Sequence, residues 1–301
     1  MKTIKESKGL SLLVILLMYV IAFTIGYFVY VNLPFEFYYS FLIADVFATI
    51  VIFIFSLIFK NASCYDAYWS ALPLAAVIML LFQSEVTITR VLIAIAVSGW
   101  GIRLTLNWVY TFDNLNWIDW RYKDLREKSK GLYPLVNFFG IHLFPTLIVY
   151  FCFLPVLYVF KYNVTLNPFV IVFFVFAILA FTMQGIADLQ MHHFRKNRTT
   201  TFIRVGLWKY SRHPNYLGEI LMWWMVALFA IFALNGYYYL LLGAILNTCL
   251  FVFISIPLAE NHQRKRKEGF DLYKKETRML LPIYKKSPIT NEEEWFFNYL
   301  V

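Results

Sequence analysis

The sequence predicts an all-α membrane protein, a bundle of seven to eight transmembrane helices joined by polar loops on the cytoplasmic side. Three observations carry this. Of 301 residues, 60% are hydrophobic and only 15% are charged, well below the roughly 25% charge of soluble domains. Mean hydropathy is +0.62, and apolar runs long enough to cross a bilayer recur along the chain. The basic residues gather in the links between those runs, as the positive-inside rule requires. That distribution also explains the net charge of +9 without nucleic acid as a partner.

Taken in order, Lys2, Lys5 and Lys8 precede a first span over 11–31. Its length and the lack of a small-residue cleavage site predict a retained helix rather than a cleaved signal peptide. A link with Pro34 and Glu36 leads to a second span over 37–59, which contains Asp45. The polar, aromatic stretch from Asn61 to Pro73 feeds a short third span ending near Phe82. The fourth runs over 87–110 and carries Arg103 well inside, with Asn107 one turn on. Snorkelling explains Arg103 if it lies near the cytoplasmic surface; a ligand phosphate or carboxylate explains it otherwise.

The loop 111–137 is mixed in charge and predicts a separate amphipathic helix. A fifth span follows over 138–160, with His142 near its start and Pro145 and Pro155 as kink positions. The sixth, 166–187, ends in Gln184, Asp188, His192 and Arg195, whose spacing puts them on one helical stripe. Arg195, Lys196, Arg198, Arg204 and Lys209 then follow without an acid, a concentrated attraction for an anion. The seventh span is 216–234, closed by the turn signal Asn235-Gly236, and the eighth is 237–258. Beyond it lie Glu260, His262, the basic run 264–267 and a short acidic, aromatic terminus.

Eight spans put both termini on one side, and all Lys and Arg except Arg90, Arg103 and Lys161 fall there, 24 of 27. The reading is therefore one membrane domain, 1–301, with cytoplasmic termini. A bacterial inner membrane is the expected location and the endoplasmic reticulum the alternative. Cys64, Cys152 and Cys249 have no metal-like spacing, which points to packing. Oligomeric state is not legible.

The chain converges on residues 206–219, Gly-Leu-Trp-Lys-Tyr-Ser-Arg-His-Pro-Asn-Tyr-Leu-Gly-Glu. Pro214 suits the first turn of a helix, and Asn215 and Glu219 then share a face. A carboxylate one turn inside an apolar run must face protein or water. Arg212 and His213 read singly as the basic end of a membrane helix; with Pro214, Asn215 and Glu219 they read as a site. The inner ends of spans four, six, seven and eight thus bring Arg103, Asp188, Arg195, Arg212, Asn215, Glu219 and His262 toward one polar pocket. Arginine forks suit a phosphate-rich ligand, and with neither GxGxxG nor a Walker loop side chains must hold it. Five histidines are too few for a di-iron cluster, so no metal site is expected, and no nucleophile-elbow motif supports serine hydrolysis.

The 206–219 stretch resembles the signature of the DUF1295 proteins, within the steroid 5-alpha-reductase C-terminal superfamily. Tyr65-Asp-x-Tyr-Trp-Ser70, Trp117-x-Asp-Trp-Arg-Tyr122, Ala187-Asp-x-Gln190, Pro257-Leu-x-Glu260 and Tyr273 followed by Pro282 agree with it, over about residues 61–284. The resemblance implies a membrane reductase that uses NADPH to reduce an activated C=C bond, an enone, in a lipid- or steroid-like substrate. By the same resemblance, Arg103, Asp188, Arg195, Asn215, Glu219 and His262 line the cofactor site, and Arg212 and His213 join them from the signature. Steroid-reducing members carry a glutamate before Leu-Pro in the early spans, where this chain has Ala71 before Leu72-Pro73. Another group must then polarise the carbonyl, since hydride addition needs a donor where charge develops; Tyr68 and Asp66 are the candidates, with Trp100 a third residue expected nearby. The Arg-His-Pro-x-Tyr-x-Gly pattern is similar also to the isoprenylcysteine carboxyl methyltransferases, which bind S-adenosylmethionine, with Glu260-Asn261 in place of their glutamate pair. A non-enzymatic lipid-binding or transport protein is the third reading; it lacks the internal repeat expected of transporters.

Overall fold

A helical bundle with eight helices long and apolar enough to cross a membrane emerges in the computed structural model, which describes residues 2–197 and 200–282. We number them α1 Lys8–Asn32, α2 Phe37–Phe59, α3 Ala62–Gln83, α4 Ile88–Thr111, α5 Trp120–Lys161, α6 Pro168–Lys196, α7 Pro214–Leu234 and α8 Tyr238–Arg266. A short helix, α9 Phe270–Glu276, follows, and no strand is found among the described residues. The protein is an all-α polytopic membrane bundle.

Burial sorts the helices into two layers. α5 and α7 bury 67% of their apolar windows inside the protein, whereas α1, α6 and α8 bury 22–28%. The outer helices present unbroken apolar surface, such as Leu13, Leu16, Leu17 and Phe28 on α1 and Phe169, Val172, Phe176 and Leu179 on α6. Patches of that extent are stable against lipid tails but not against water. α6 packs along α7, α1 along α2 and α3 along α4, while α5 touches α2, α3, α4, α7 and α8.

Three spans, the third, sixth and eighth, run longer than their apolar stretches. The third span is longer than its apolar run because a 3-10 turn, Ala62–Tyr65, extends it. Asn61 caps that turn, accepting from Ser63 N–H at 2.9 Å and donating to the carbonyls of Leu115 and Trp117 at 2.8 Å. The amphipathic helix forms over Trp120–Ser129 and stops at Lys130, whose φ of 45° is non-helical; a 3-10 turn at Lys130–Leu132 and a π segment at Asn137–Leu143 then lead into the fifth span. α6 and α8 also continue well past their apolar ends. The tail beyond residue 282, the acidic, aromatic terminus included, lies outside the described residues, as does Arg198.

Each of the two π segments, Asn137–Leu143 and Leu250–Ser255, ends two residues before a proline, Pro145 and Pro257. Proline cannot donate to the carbonyl four residues earlier, and the wider π register absorbs the missing bond. Pro155 sits inside α5 without such a segment. On the opposite side of the bundle from α9, buried Arg90 donates to the carbonyls of Glu85, Val159 and Tyr162 at 2.7, 3.1 and 3.2 Å. It ties the start of α4 to the end of α5 by satisfying carbonyls that a helix terminus leaves open.

Candidate functional site

The site is assembled around Glu219, one turn inside α7. Pro214 opens that helix at its first turn and Ser211 Oγ accepts from the His213 N–H at 3.2 Å. The Glu219 carboxylate is buried and accepts from Trp100 Nε1 at 2.8 Å, Gln184 Nε2 at 2.8 Å and Trp223 Nε1 at 2.9 Å. Arg103 stands 3.6 Å from the same carboxylate, donates to Asp188 Oδ2 at 2.7 Å and to Gln184 Oε1 at 2.6 Å. Charges buried inside a membrane bundle persist only when paired and hydrogen-bonded. Arg103 therefore does not snorkel; it is turned inward into a network. One donor is left over, since Arg103 Nε is buried without a partner among the described residues.

Close approach of α6 and α7 makes this reach possible. A methyl group at Gly218 would stand 2.7 Å from the Ala180 carbonyl oxygen, so only glycine lets Gln184 come alongside Glu219. Asn215 lies beside Asp188. The remaining members of the α6 stripe continue toward the aqueous end: His192 Nε2 meets Asn107 Oδ1 at 2.7 Å, and Arg195 is exposed on the last turn.

A second polar cluster forms around Glu260 of α8. Its carboxylate takes Arg212 Nε at 2.8 Å, His213 Nε2 at 3.1 Å and Lys274 Nζ at 2.7 Å. Arg212 also donates to the carbonyls of Lys274 and Thr277, and its N–H donates to the Arg278 carbonyl at 2.8 Å. The signature loop is thus clamped by the segment after α8. Arg204, expected in an acid-free basic loop, pairs with Glu276 of α9 at 2.6 Å; the acid comes from a distant part of the chain. Burial pushes the His213 imidazole below its ordinary pKa, outweighing the Glu260 carboxylate that favours its charged form.

Between the clusters lies an aromatic margin. His213 stacks on Tyr216 at 5.3 Å and 5°, and His262 stacks on Trp120 at 3.6 Å and 21°. Arg121, exposed, forks onto Asp119 at 2.8 and 3.2 Å. Arg121, Asp119 and Asp188 all lie near enough to Tyr216 to act on its hydroxyl electrostatically.

Of the residues singled out in the sequence, Arg103, Asp188, Asn215 and Glu219 meet in one network, and Arg212 and His213 meet in the adjacent one. His262 sits at the rim and Arg195 outside both. Tyr68 and Asp66 do not join them or each other. Tyr68 donates to Asp45 Oδ1 at 2.9 Å, on the α2 side of α3, and Asp66 is bonded by the Tyr122 hydroxyl. Sequence reasoning missed Trp223 and the part played by Trp100. Both were signalled by spacing, four residues after Glu219 and three before Arg103, which places each on the face of a residue already singled out.

A multi-pass membrane bundle with a charged, hydrogen-bonded node among its helix ends defines the class. Within that class the chain belongs to the DUF1295 family: the family model, described as a protein of unknown function, matches residues 52–277. The chain is also similar to an uncharacterized protein of Schizosaccharomyces pombe, 28% identical over 206 residues, a match covering 58% of this chain and 59% of the yeast protein. The alignment thus spans less than two thirds of that relative's length. No solved structure matches.

Proposed function

We propose that this chain is a membrane-embedded oxidoreductase that uses NADPH to reduce the activated C=C bond of a lipid-like enone. The observation that carries this reading is the convergence of Arg103, Asp188, Asn215 and Glu219 from three helices into one node, with the unpartnered Arg103 Nε inside it. A buried N–H without a partner costs about 1–3 kcal/mol, and an oxygen of a bound cofactor would relieve it. The residues present fit a dinucleotide: a guanidinium donor, carboxylates for ribose or amide groups, and stacked rings at Tyr216 and Trp120. Exposed Arg195, with His262 at the rim, supplies the basic margin for phosphates, while Arg212, held by Glu260, fixes the loop beside it.

When bound, NADPH supplies a hydride. The protein's share is to orient it, to exclude water and to hold a proton donor. Asp66 is committed to Tyr122, so Tyr68, backed by Asp45, takes the acid role. The bundle's lipid-facing walls favour a substrate that enters from the bilayer. The orientation that accompanies this reading is cytoplasmic for both termini and for the node, in a bacterial inner membrane or the endoplasmic reticulum.

The rival reading, an S-adenosylmethionine-dependent methyltransferase, draws on Glu260. That carboxylate already holds two cations, Arg212 and Lys274, and the His213 ring, and its neighbour is Asn261 rather than a second glutamate. Thermal melting of detergent-purified protein with NADPH, NADH and S-adenosylmethionine separates the two. A ligand bound to the native state alone raises apparent stability as RT ln(1 + [L]/Kd). NADPH is expected to stabilise the protein, less so in Arg195→Ala; stabilisation by S-adenosylmethionine alone would replace this reading with the methyltransferase.

A further inference from the structure

A second polar network runs through the membrane interior, apart from the Glu219 node. On α2, Asp45, Thr49 and Ser56 are all buried, and spacings of four and seven place them on one face. On α5, Asn137, His142 and Thr146 are likewise buried. Their spacings of five and four align only because Asn137–Leu143 is a π segment, whose i→i+5 register brings residues five apart onto one face. Tyr65 and Tyr68 of α3 close the gap between the two stripes.

The contacts are continuous over most of the ladder. Tyr68 Oη donates to Asp45 Oδ1 at 2.9 Å and is also hydrogen-bonded to Thr49. Thr49 Oγ1 meets Thr146 Oγ1 at 2.9 Å, and Thr146 meets Tyr65 Oη at 2.8 Å. The Tyr65 ring lies 4.8 Å from the His142 ring, whose Nδ1 faces the Asn137 carbonyl at 3.0 Å. Asn137 Nδ2 in turn donates to Ser56 Oγ at 3.3 Å. From Ser56 to Asp45, α2 rises about 16 Å, so the ladder climbs from near the end of α2 that adjoins the signature side to mid-bundle.

Three of its atoms have no partner, Asp45 Oδ2, His142 Nε2 and Asn137 Oδ1, and all three residues are at most 2% exposed. Half of the buried polar side-chain atoms left without a partner among the described residues belong to this one network. Orphans of this kind in a polar interior are normally met by ordered water. Asp45 forms no ion pair among the described residues, and a carboxyl group in an apolar interior without a cation carries its own proton.

We propose that this ladder is a hydrated proton path that refills Tyr68 from the aqueous side of the signature loop. The inference rests on the reduction reading and names where its proton comes from. In the step, the Tyr68 O–H bond breaks as the proton passes to the substrate, whose electron pair arrives with the hydride. Asp45 returns a proton to the phenolate oxygen. The carboxylate is recharged across the Tyr68 oxygen, which Thr49 also meets, from Thr49, Thr146, Tyr65 and bridging water at His142, each hydroxyl breaking one O–H bond as it forms another. One proton enters from water per turnover, and no residue is changed at the end. Asp45 and His142 are positioning and relay residues; neither needs to touch substrate.

The test is infrared spectroscopy of the intact protein in lipid, with its aspartates isotopically labelled. A protonated Asp45 gives a carboxyl band, assigned by its loss in Asp45→Asn or by its displacement in Asp45→Glu should the asparagine variant not fold. On transfer to heavy water that band is expected to shift in the native protein within minutes, and about ten-fold more slowly or worse in His142→Phe, because the opening must then be global rather than local. Turnover of a model enone in His142→Phe should fall about 10²-fold with NADPH affinity kept. A band absent at neutral pH, or unshifted after hours, overturns the path whatever the enzyme's activity. Prompt exchange without NADPH binding leaves the path standing and removes the reduction reading instead.

Discussion

Glu219 accepts three hydrogen bonds and faces the Arg103 guanidinium, and those neighbours determine what a substitution does. Glutamine has the same shape but turns one oxygen into an NH2 group, which must then face an indole N–H, the Gln184 amide or the Arg103 guanidinium. Glu219→Gln is expected to lose about 2 kcal/mol or more of stability, the range for a hydrogen bond to a charged group plus a stranded donor, read from the midpoint of denaturant unfolding in detergent. A second residue-scale expectation concerns acid. Burial lowers the His213 pKa, so the unfolded chain binds a proton there more readily than the folded one. The stability that neutral His213 contributes is present above its unfolded value, near 6.5, and is lost as pH falls through the folded one. Melting temperature should decline below about pH 6.5 in the native protein and decline less in His213→Gln. At this scale the sequence was informative wherever polar residues stood inside apolar runs, because such residues must find partners. It did not reveal which partners: the indole donors of Trp100 and Trp223 read as apolar bulk until two helices are placed face to face.

Elements were legible where length and hydropathy alone decide them, which is why all eight spans agree with the structure in existence and order. Their ends were less legible. The 3-10 turn that lengthens α3 depends on Asn61 reaching the carbonyls of Leu115 and Trp117, more than fifty residues away, and no local pattern carries that. The π segments were announced only by prolines two residues beyond each, of which Pro145 alone was read in the sequence as a kink. The pairing of α6 with α7 is the element-scale feature most open to test. Gly218→Val places branched carbons against the Ala180 carbonyl and the Gln184 side chain, forcing the helices apart. A cost of about 1–3 kcal/mol follows from overpacking, and since Gln184 would then leave Glu219, cofactor affinity should fall in the same variant. Loss of stability with affinity intact would show that the α6–α7 contact supports the fold and not the site.

For the whole molecule, the distribution of charge sets orientation. Lys and Arg cluster at one end of the bundle, with 24 of 27 there by the spans of the sequence, while Arg90 and Lys161 stand at the other. Arg90 is consumed in capping carbonyls and Lys161 lies over the Phe37 ring, so neither weakens the asymmetry. By the positive-inside rule such a cluster is expected on the cytoplasmic side. The chain offers a clean reporter for this. Cys64 and Cys152 are buried, so replacing the exposed Cys249 by serine leaves no accessible thiol among the native cysteines. Into that background, Asn163→Cys marks the loop between α5 and α6, and Lys123→Cys marks the exposed first turns of α5. An impermeant maleimide added to intact cells should label position 163 and leave position 123 unlabelled until the membrane is opened. The reverse pattern would turn the molecule over, placing the Glu219 node and the foot of the Ser56–Asp45 ladder on the outer side, where a cytoplasmic pool of NADPH could not reach them.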